Sequence, residues 1–232
     1  MKGKYIDIAA DGGGKFRGYL CTPPAGKGPG LVVIQEIFGI NANVRAVCEN
    51  YATEGFVTLA PDLFWRMEPN VDLDYTEAGW ARAFDFFKRF DVNKGVEDID
   101  AALNHLYGMA ECAGRVGAIG YCLGGKLAYL AATRTPVDAS VGYYGVGIEA
   151  SLDEKANIGK PLLLHIAEKD QFVPPEAQAK VKSGLAGVKG VEIYSYAGAD
   201  HAFARIGGDH FDRKSAELAN ARTLAFLKKN LA

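Results

Sequence analysis

The stretch GYCLGG, residues 120–125, sets a cysteine among glycines, after the apolar run VGAI and before the helix-like run KLAYLAA. Two chemistries fit these letters. Read as Gly120-x-Cys122-x-Gly124, it is a nucleophile elbow. Such a turn from strand to helix exposes the reactive side chain and needs small residues at minus two and plus two. Read as Gly120-x-x-x-x-Gly125-Lys126, it approaches a phosphate-binding loop. That loop needs Ser or Thr after the lysine to hold Mg²⁺, and Leu127 stands there. Tyr121, Cys122 and Leu123 are also bulky where a phosphate would require close backbone approach. The elbow fits better, and an inert buried cysteine beside packing glycines is its plain alternative.

A thiol nucleophile works only with a base to take its proton and an acid to orient the base. In elbow-type hydrolases the chain order is nucleophile, acid, histidine, with the last two on loops after later strands. After PLLLHIA comes EKDQF, which offers Glu168 and Asp170, and after VEIYSYA comes GADHAF, which offers His201. Glu168 and Asp200 compete with Asp170, whose short side chain two residues further into its loop suits the acid role better. His210 is a second choice for the base. His165, inside an apolar strand pattern, and His105, inside a helical one, read as packed or surface histidines. The constellation expected is Cys122–Asp170–His201.

These residues need a scaffold of strand ends. KYIDIAA, DGGG and KFRGYLC read as a hairpin. LVVIQE (31–36) is a continuous apolar run of the kind found in a strand buried on both faces, and FVTLAPD reads as the next strand. Strands RVGAIG, ASVGYYG, KPLLLHIA and VEIYSYA then alternate with helical patterns, after an irregular stretch DLFWRMEPNVDLDY and an aromatic-rich helix TEAGWARAFDFFKRF. Alternation of this kind predicts an α/β fold: a mostly parallel central sheet flanked by helices, with the N-terminal hairpin antiparallel at one edge. No repeat or linker interrupts it, so one domain over residues 1–232 is expected.

With 49% hydrophobic and 23% charged residues and a formal net charge of −2, the chain has no global bias towards nucleic acid or anionic membrane. The N-terminus lacks an apolar signal region, and the longest apolar runs fall far short of a membrane span. Cys21, Cys48, Cys112 and Cys122 show no C-x-x-C spacing, and the four histidines are scattered. A reducing cytoplasm is expected, with no disulfide framework, metal site or cofactor.

The segments IQEIFGIN, PDLF, GYCLGG, VGYYGVG and DHAFAR, in this order, resemble the dienelactone hydrolase (carboxymethylenebutenolidase) family along nearly the whole chain. The resemblance implies an α/β-hydrolase fold and a Cys–His–Asp triad at Cys122, His201 and Asp170. It also implies a monomer that hydrolyses a small lactone or activated ester through a thioester. It gives Glu36 a part in generating the thiolate; a carboxylate at the end of an apolar strand could otherwise be a solvated strand-end charge. The backbone N–H groups of Leu123 and Ile37 would hold the oxyanion. The same resemblance sets Arg205, Phe38 and Tyr144 at the substrate. It also expects a second carboxylate-binding arginine where this chain has Trp80, and a tyrosine where it has Phe84. Arg82 lies two places from Trp80, on another helix face, and is no automatic substitute. The expectation that follows is a pocket wall less cationic than the family's, suited to less charged esters or lactones; a Trp80 that simply packs in the core is the alternative.

Overall fold

The computed structural model describes residues 2–232. Among the described residues eight strands form one sheet; in chain order they are β1 (Lys4–Ala9), β2 (Lys15–Cys21), β3 (Gly28–Ile34), β4 (Val57–Pro61), β5 (Cys112–Tyr121), β6 (Ala139–Tyr143), β7 (Leu162–Ala167) and β8 (Val191–Tyr196), and across the sheet the order is β1-β2-β4-β3-β5-β6-β7-β8. The described residues group into two compact units: one runs through Ala118 and takes in Leu231, and the other spans Ile119–Asn230 with Ala232.

The first unit opens with the expected hairpin. Strands β1 (Lys4–Ala9) and β2 (Lys15–Cys21) pair antiparallel, and β2 pairs antiparallel with β4 (Val57–Pro61). The turn between β1 and β2 takes three positive φ angles in a row, at Gly12, Gly13 and Gly14, which no other residue type adopts cheaply. Strand β3 (Gly28–Ile34) pairs parallel with β4 and is fully buried over its last five residues. It begins three residues before the run LVVIQE and stops two before that run's end. Gly28, Pro29 and Gly30 read as loop, yet Gly30 is strand because its missing side chain makes room for Val116: a Cβ there would lie 2.9 Å from a Val116 methyl. At the other end, Gln35 and Glu36 lie past the strand, and the Gln35 side chain accepts the Leu63 N–H (3.2 Å).

Three helices complete this unit. Helix α1 (Ala42–Thr53) is capped by the Asn41 side chain, and α2 (Glu77–Arg89) by Thr76. Helix α3 (Val92–Tyr107) begins four residues before the apolar repeat at Val96, because Asp91 accepts the Asn93 and Lys94 N–H groups and starts a turn that carries no apolar signal. Strand β5 (Cys112–Tyr121) carries the chain into the second unit.

There, α4 (Leu123–Arg134) leads to β6 (Ala139–Tyr143), which pairs parallel with β7 (Leu162–Ala167); β7 in turn pairs parallel with β8 (Val191–Tyr196). Helix α5 (Pro175–Gly184) joins β7 to β8, and α6 (Arg213–Leu231) closes the chain. A 3-10 helix at Ile148–Asn157, absent from the sequence reading, follows β6. Its segment has no apolar period to announce it, and only Ile148 in it is buried. Among the described residues no helix is long and apolar enough to cross a membrane.

Candidate active site

Strand β5 ends at Tyr121 and α4 begins at Leu123, so a single residue, Cys122, turns the chain. It does so at φ 58° and ψ −115°, a left-handed conformation that costs about 1–3 kcal/mol for a side chain other than glycine. Glycines make the turn possible. A Cβ on Gly120 would run into the Gly124 carbonyl, and one on Gly125 would lie 2.5 Å from the Tyr143 carbonyl oxygen. Strand β6 anchors the elbow: the Tyr143 carbonyl accepts the Cys122 N–H (3.1 Å). The first N–H groups of α4, beginning with Leu123, have no partner within their own helix, and the helix's positive end favours negative charge beside Cys122.

Asp170 lies in the loop after β7, nearly fully buried, and its Oδ1 accepts the backbone N–H groups of Phe172 (2.8 Å) and Val173 (3.2 Å). Its other oxygen lies 2.7 Å from His201 Nδ1. An ionised carboxylate only accepts, so His201 Nδ1 carries a proton and donates it to Asp170, and Nε2 is the nitrogen left for Cys122. His201 also makes a side-chain hydrogen bond to Cys122. Burial alone would lower the His201 pKa. The charge of Cys122, followed by the hydrogen bonds to Asp170 and Cys122, outweighs burial and pushes it up to about 10. The imidazole ring touches the rings of Tyr144 (centroids 5.0 Å apart) and Phe172 (4.9 Å).

The loops carrying acid and base are tied to each other and to α5. Lys169 N–H donates to the Ala199 carbonyl (2.9 Å) and Glu168 N–H to the Tyr196 carbonyl (3.2 Å). Gln178 of α5, itself buried, donates from Nε2 to the carbonyls of Ala167 (3.1 Å) and Val173 (2.8 Å), bracketing Asp170 on both sides. Sequence reasoning passed over Gln178 and Phe172. The only signal for Gln178 was a glutamine one helical turn into α5, and for Phe172 an aromatic two residues after the acid.

The rivals are placed elsewhere. The Asp200 Oδ1 accepts the backbone N–H of His201 (2.6 Å), and its Oδ2 pairs with His210 Nδ1 (3.0 Å). Glu168 is exposed. His165 is buried between Tyr196 and Thr223, as its strand pattern suggested. Arg205 is buried and follows a turn in which Ala202 takes φ 62°; its N–H closes that turn on the Ala202 carbonyl (2.9 Å).

In the first unit, Glu36 and Ile37 lie just past β3 and both are buried, so a solvated strand-end charge does not describe Glu36. Phe38, Trp80 and Phe84 form an aromatic cluster: Trp80 meets Phe38 edge-on (4.8 Å) and lies 5.5 Å from Phe84, which is 37% exposed. Trp80 itself is only half-buried, which is not the setting of a core tryptophan. Arg82 pairs with Glu68 (2.7 Å). Among the described residues no three His, Cys, Asp or Glu side chains converge as metal ligands would.

The profile of the dienelactone hydrolase family matches residues 16–231 of this chain. A carboxymethylenebutenolidase of Pseudomonas sp. (strain P51) is 38% identical over 225 residues, covering 97% of this chain and 94% of the relative. A protein of Azospirillum brasilense, to which the same activity is assigned provisionally, is 46% identical over 232 residues, covering 97% and 98%. A crystal structure from Klebsiella pneumoniae, described provisionally as a dienelactone hydrolase, superposes with a TM-score of 0.84 at 24% identity, covering 99% of this chain and all (100%) of that one. At that identity the likeness speaks to the fold, which is the α/β-hydrolase fold.

Proposed function

This chain belongs to the dienelactone hydrolase family and is a hydrolase of esters or lactones; from that premise we propose that Cys122 is its nucleophile and that it opens dienelactone or a related lactone or activated ester through a thioester. The observation that carries the reading is the Asp170–His201 pair at 2.7 Å, bonded onward to a cysteine at a strained elbow.

His201 Nε2 takes the thiol proton, and the Cys122 sulfur attacks the ester carbonyl. The tetrahedral oxyanion forms at the positive end of α4, where the Leu123 N–H can receive it; losing one such donor typically costs about 2.7–4 kcal/mol. Collapse expels the alkoxy or enolate oxygen, which takes the proton from His201, and leaves a thioester. His201 then draws a proton from water as the water attacks the thioester, and the carboxylic product departs as the thiol is restored. Asp170 stays ionised throughout and supports the imidazolium. To Glu36 and Ile37 the family resemblance assigns thiolate generation and the second oxyanion donor, and to Arg205 and Tyr144 substrate contact.

The test follows cis- and trans-dienelactone by ultraviolet absorbance beside p-nitrophenyl acetate. Hydrolysis of either that disappears in Cys122→Ala supports the nucleophile; hydrolysis that survives this change overturns it.

A second reading concerns preference. Trp80 packs with Phe38 and Phe84, and Arg82 is engaged by Glu68, so α2 carries an aromatic cluster at the position where the family resemblance expects a substrate-binding arginine. We propose a preference shifted towards less anionic esters or lactones.

A further inference from the structure

Five side chains on β6, β7, β8 and α6 bond in one row with a sixth, at residue 222, and the mechanism above uses none of them. Arg222 Nη1 donates to the Tyr196 hydroxyl (3.2 Å), and that hydroxyl meets His165 Nδ1 (2.7 Å). His165 Nε2 meets Thr223 Oγ1 (2.8 Å), which meets the Tyr143 hydroxyl (2.7 Å), and Tyr143 donates to Asn220 Oδ1 (2.9 Å). Tyr196, His165, Thr223 and Tyr143 are buried, while Asn220 reaches the surface.

The two ends fix the sense of the row. A guanidinium only donates, so the Tyr196 oxygen accepts from Arg222, which leaves its proton free to face His165 Nδ1. An amide oxygen only accepts, so Tyr143 gives its proton to Asn220 and accepts from Thr223, which in turn accepts from His165 Nε2–H. The Asn220 end thus puts a proton on His165 Nε2, and on a neutral ring Nδ1 is then the acceptor that the Tyr196 proton meets. The surroundings agree with a neutral ring, since burial first and the Arg222 charge second push the His165 pKa down to about 3.

The row reaches the candidate active site through main-chain bonds. The carbonyl of Tyr143 accepts the Cys122 N–H (3.1 Å), and the carbonyl of His165 accepts the Tyr144 N–H (2.8 Å). Tyr144 leaves β6 at φ 37° and lays its ring against His201. Apolar packing alone would let these strand ends slide, being non-directional, whereas a row with a single permitted proton order sets their distance and rotation. We infer that His165 and Thr223 are positioning residues for the hydrolysis: they lock the ends of β6 and β7 to α6, and so fix the elbow and the ring that flanks His201.

This rests on Cys122 and His201 being catalytic. The test uses the full chain and p-nitrophenyl acetate, with kcat and KM measured per folded molecule for Thr223→Val, Thr223→Ser and Cys122→Ala. Valine keeps the shape and removes both hydrogen bonds. The expected result is a kcat about 10–100-fold lower, as small misplacements of reacting groups produce, with KM within about twofold, and recovery with serine. A folded Thr223→Val with the wild-type kcat, whatever its melting temperature, overturns the inference and leaves the row a stabilising device only. Should the valine variant not fold, Tyr143→Phe, which removes one hydroxyl near the Asn220 end, reads the same split between kcat and KM. Activity that persists in Cys122→Ala overturns the nucleophile reading and this inference with it, so that control tells the two failures apart.

Discussion

At the residue scale, Asp170 does two things at once: one oxygen holds its own loop through Phe172 and Val173, and the other holds His201. Asp170→Asn keeps the shape but presents an amide that can donate to Nδ1, which drives the proton to Nε2 and removes the base. The same change in a serine-protease triad costs about 10⁴ in kcat; a loss on the order of 10⁴ is expected here, read by steady-state kinetics on the better of the two test substrates. Arginine at position 80 would place a donor beside Phe38 and Phe84. In Trp80→Arg, the ratio of dienelactone to p-nitrophenyl acetate turnover should rise on the order of tenfold, the worth of one hydrogen bond to a charged group. An unchanged ratio would show that Trp80 does not set preference.

The element that governs the site is the junction of β5 and α4. Backbone crowding leaves no room for side chains at Gly120 and Gly125, and Cys122 holds a conformation that an isolated chain would leave. Gly120→Ala forces its methyl against a backbone carbonyl that cannot swing away, unlike the tip of a flexible side chain. A cost of about 1–3 kcal/mol is expected from such overpacking, read as a lower urea midpoint, with activity lost well before unfolding is complete. The start of β3 at Gly28 and of α3 at Val92 both lie outside the apolar signal: a Cβ on Gly28 would run into the Gly55 carbonyl and one on Gly30 into the Val116 methyls, and α3 is started by the capping carboxylate of Asp91.

For the whole molecule, two histidines pull stability in opposite directions on either side of neutrality. His201, pushed up to about 10, binds its proton more tightly folded than unfolded. Its contribution is therefore full below its ordinary value of about 6.5 and is lost as pH rises through 10. His165, pushed down to about 3, must stay neutral when folded, so stability falls as pH drops from about 6.5 towards 3. Thermal unfolding midpoints across pH should peak between these limbs. His201→Gln should flatten the alkaline limb, and Cys122→Ala should move it to lower pH by removing the charge that raises His201 most. An alkaline limb identical in all three proteins would show that this pair does not carry the pH dependence.

From the sequence alone came the alternation of strands and helices, the hairpin at residues 4–21, the elbow at Cys122, and loops bearing Asp170 and His201 in the order an elbow hydrolase uses. All of these are local: period, turn chemistry and chain order are written in neighbouring residues. Tertiary structure decided what depends on residues far apart in the chain. It paired Asp170 with His201 and Asp200 with His210, made Gln178 the clamp of the loop that carries Asp170, and buried Glu36. It also joined His165 to Thr223, 58 residues away, in a row that runs in only one direction. Hydrogen bonds between distant segments leave no period in the sequence. They exist only once the sheet has brought their donors and acceptors within about 3 Å.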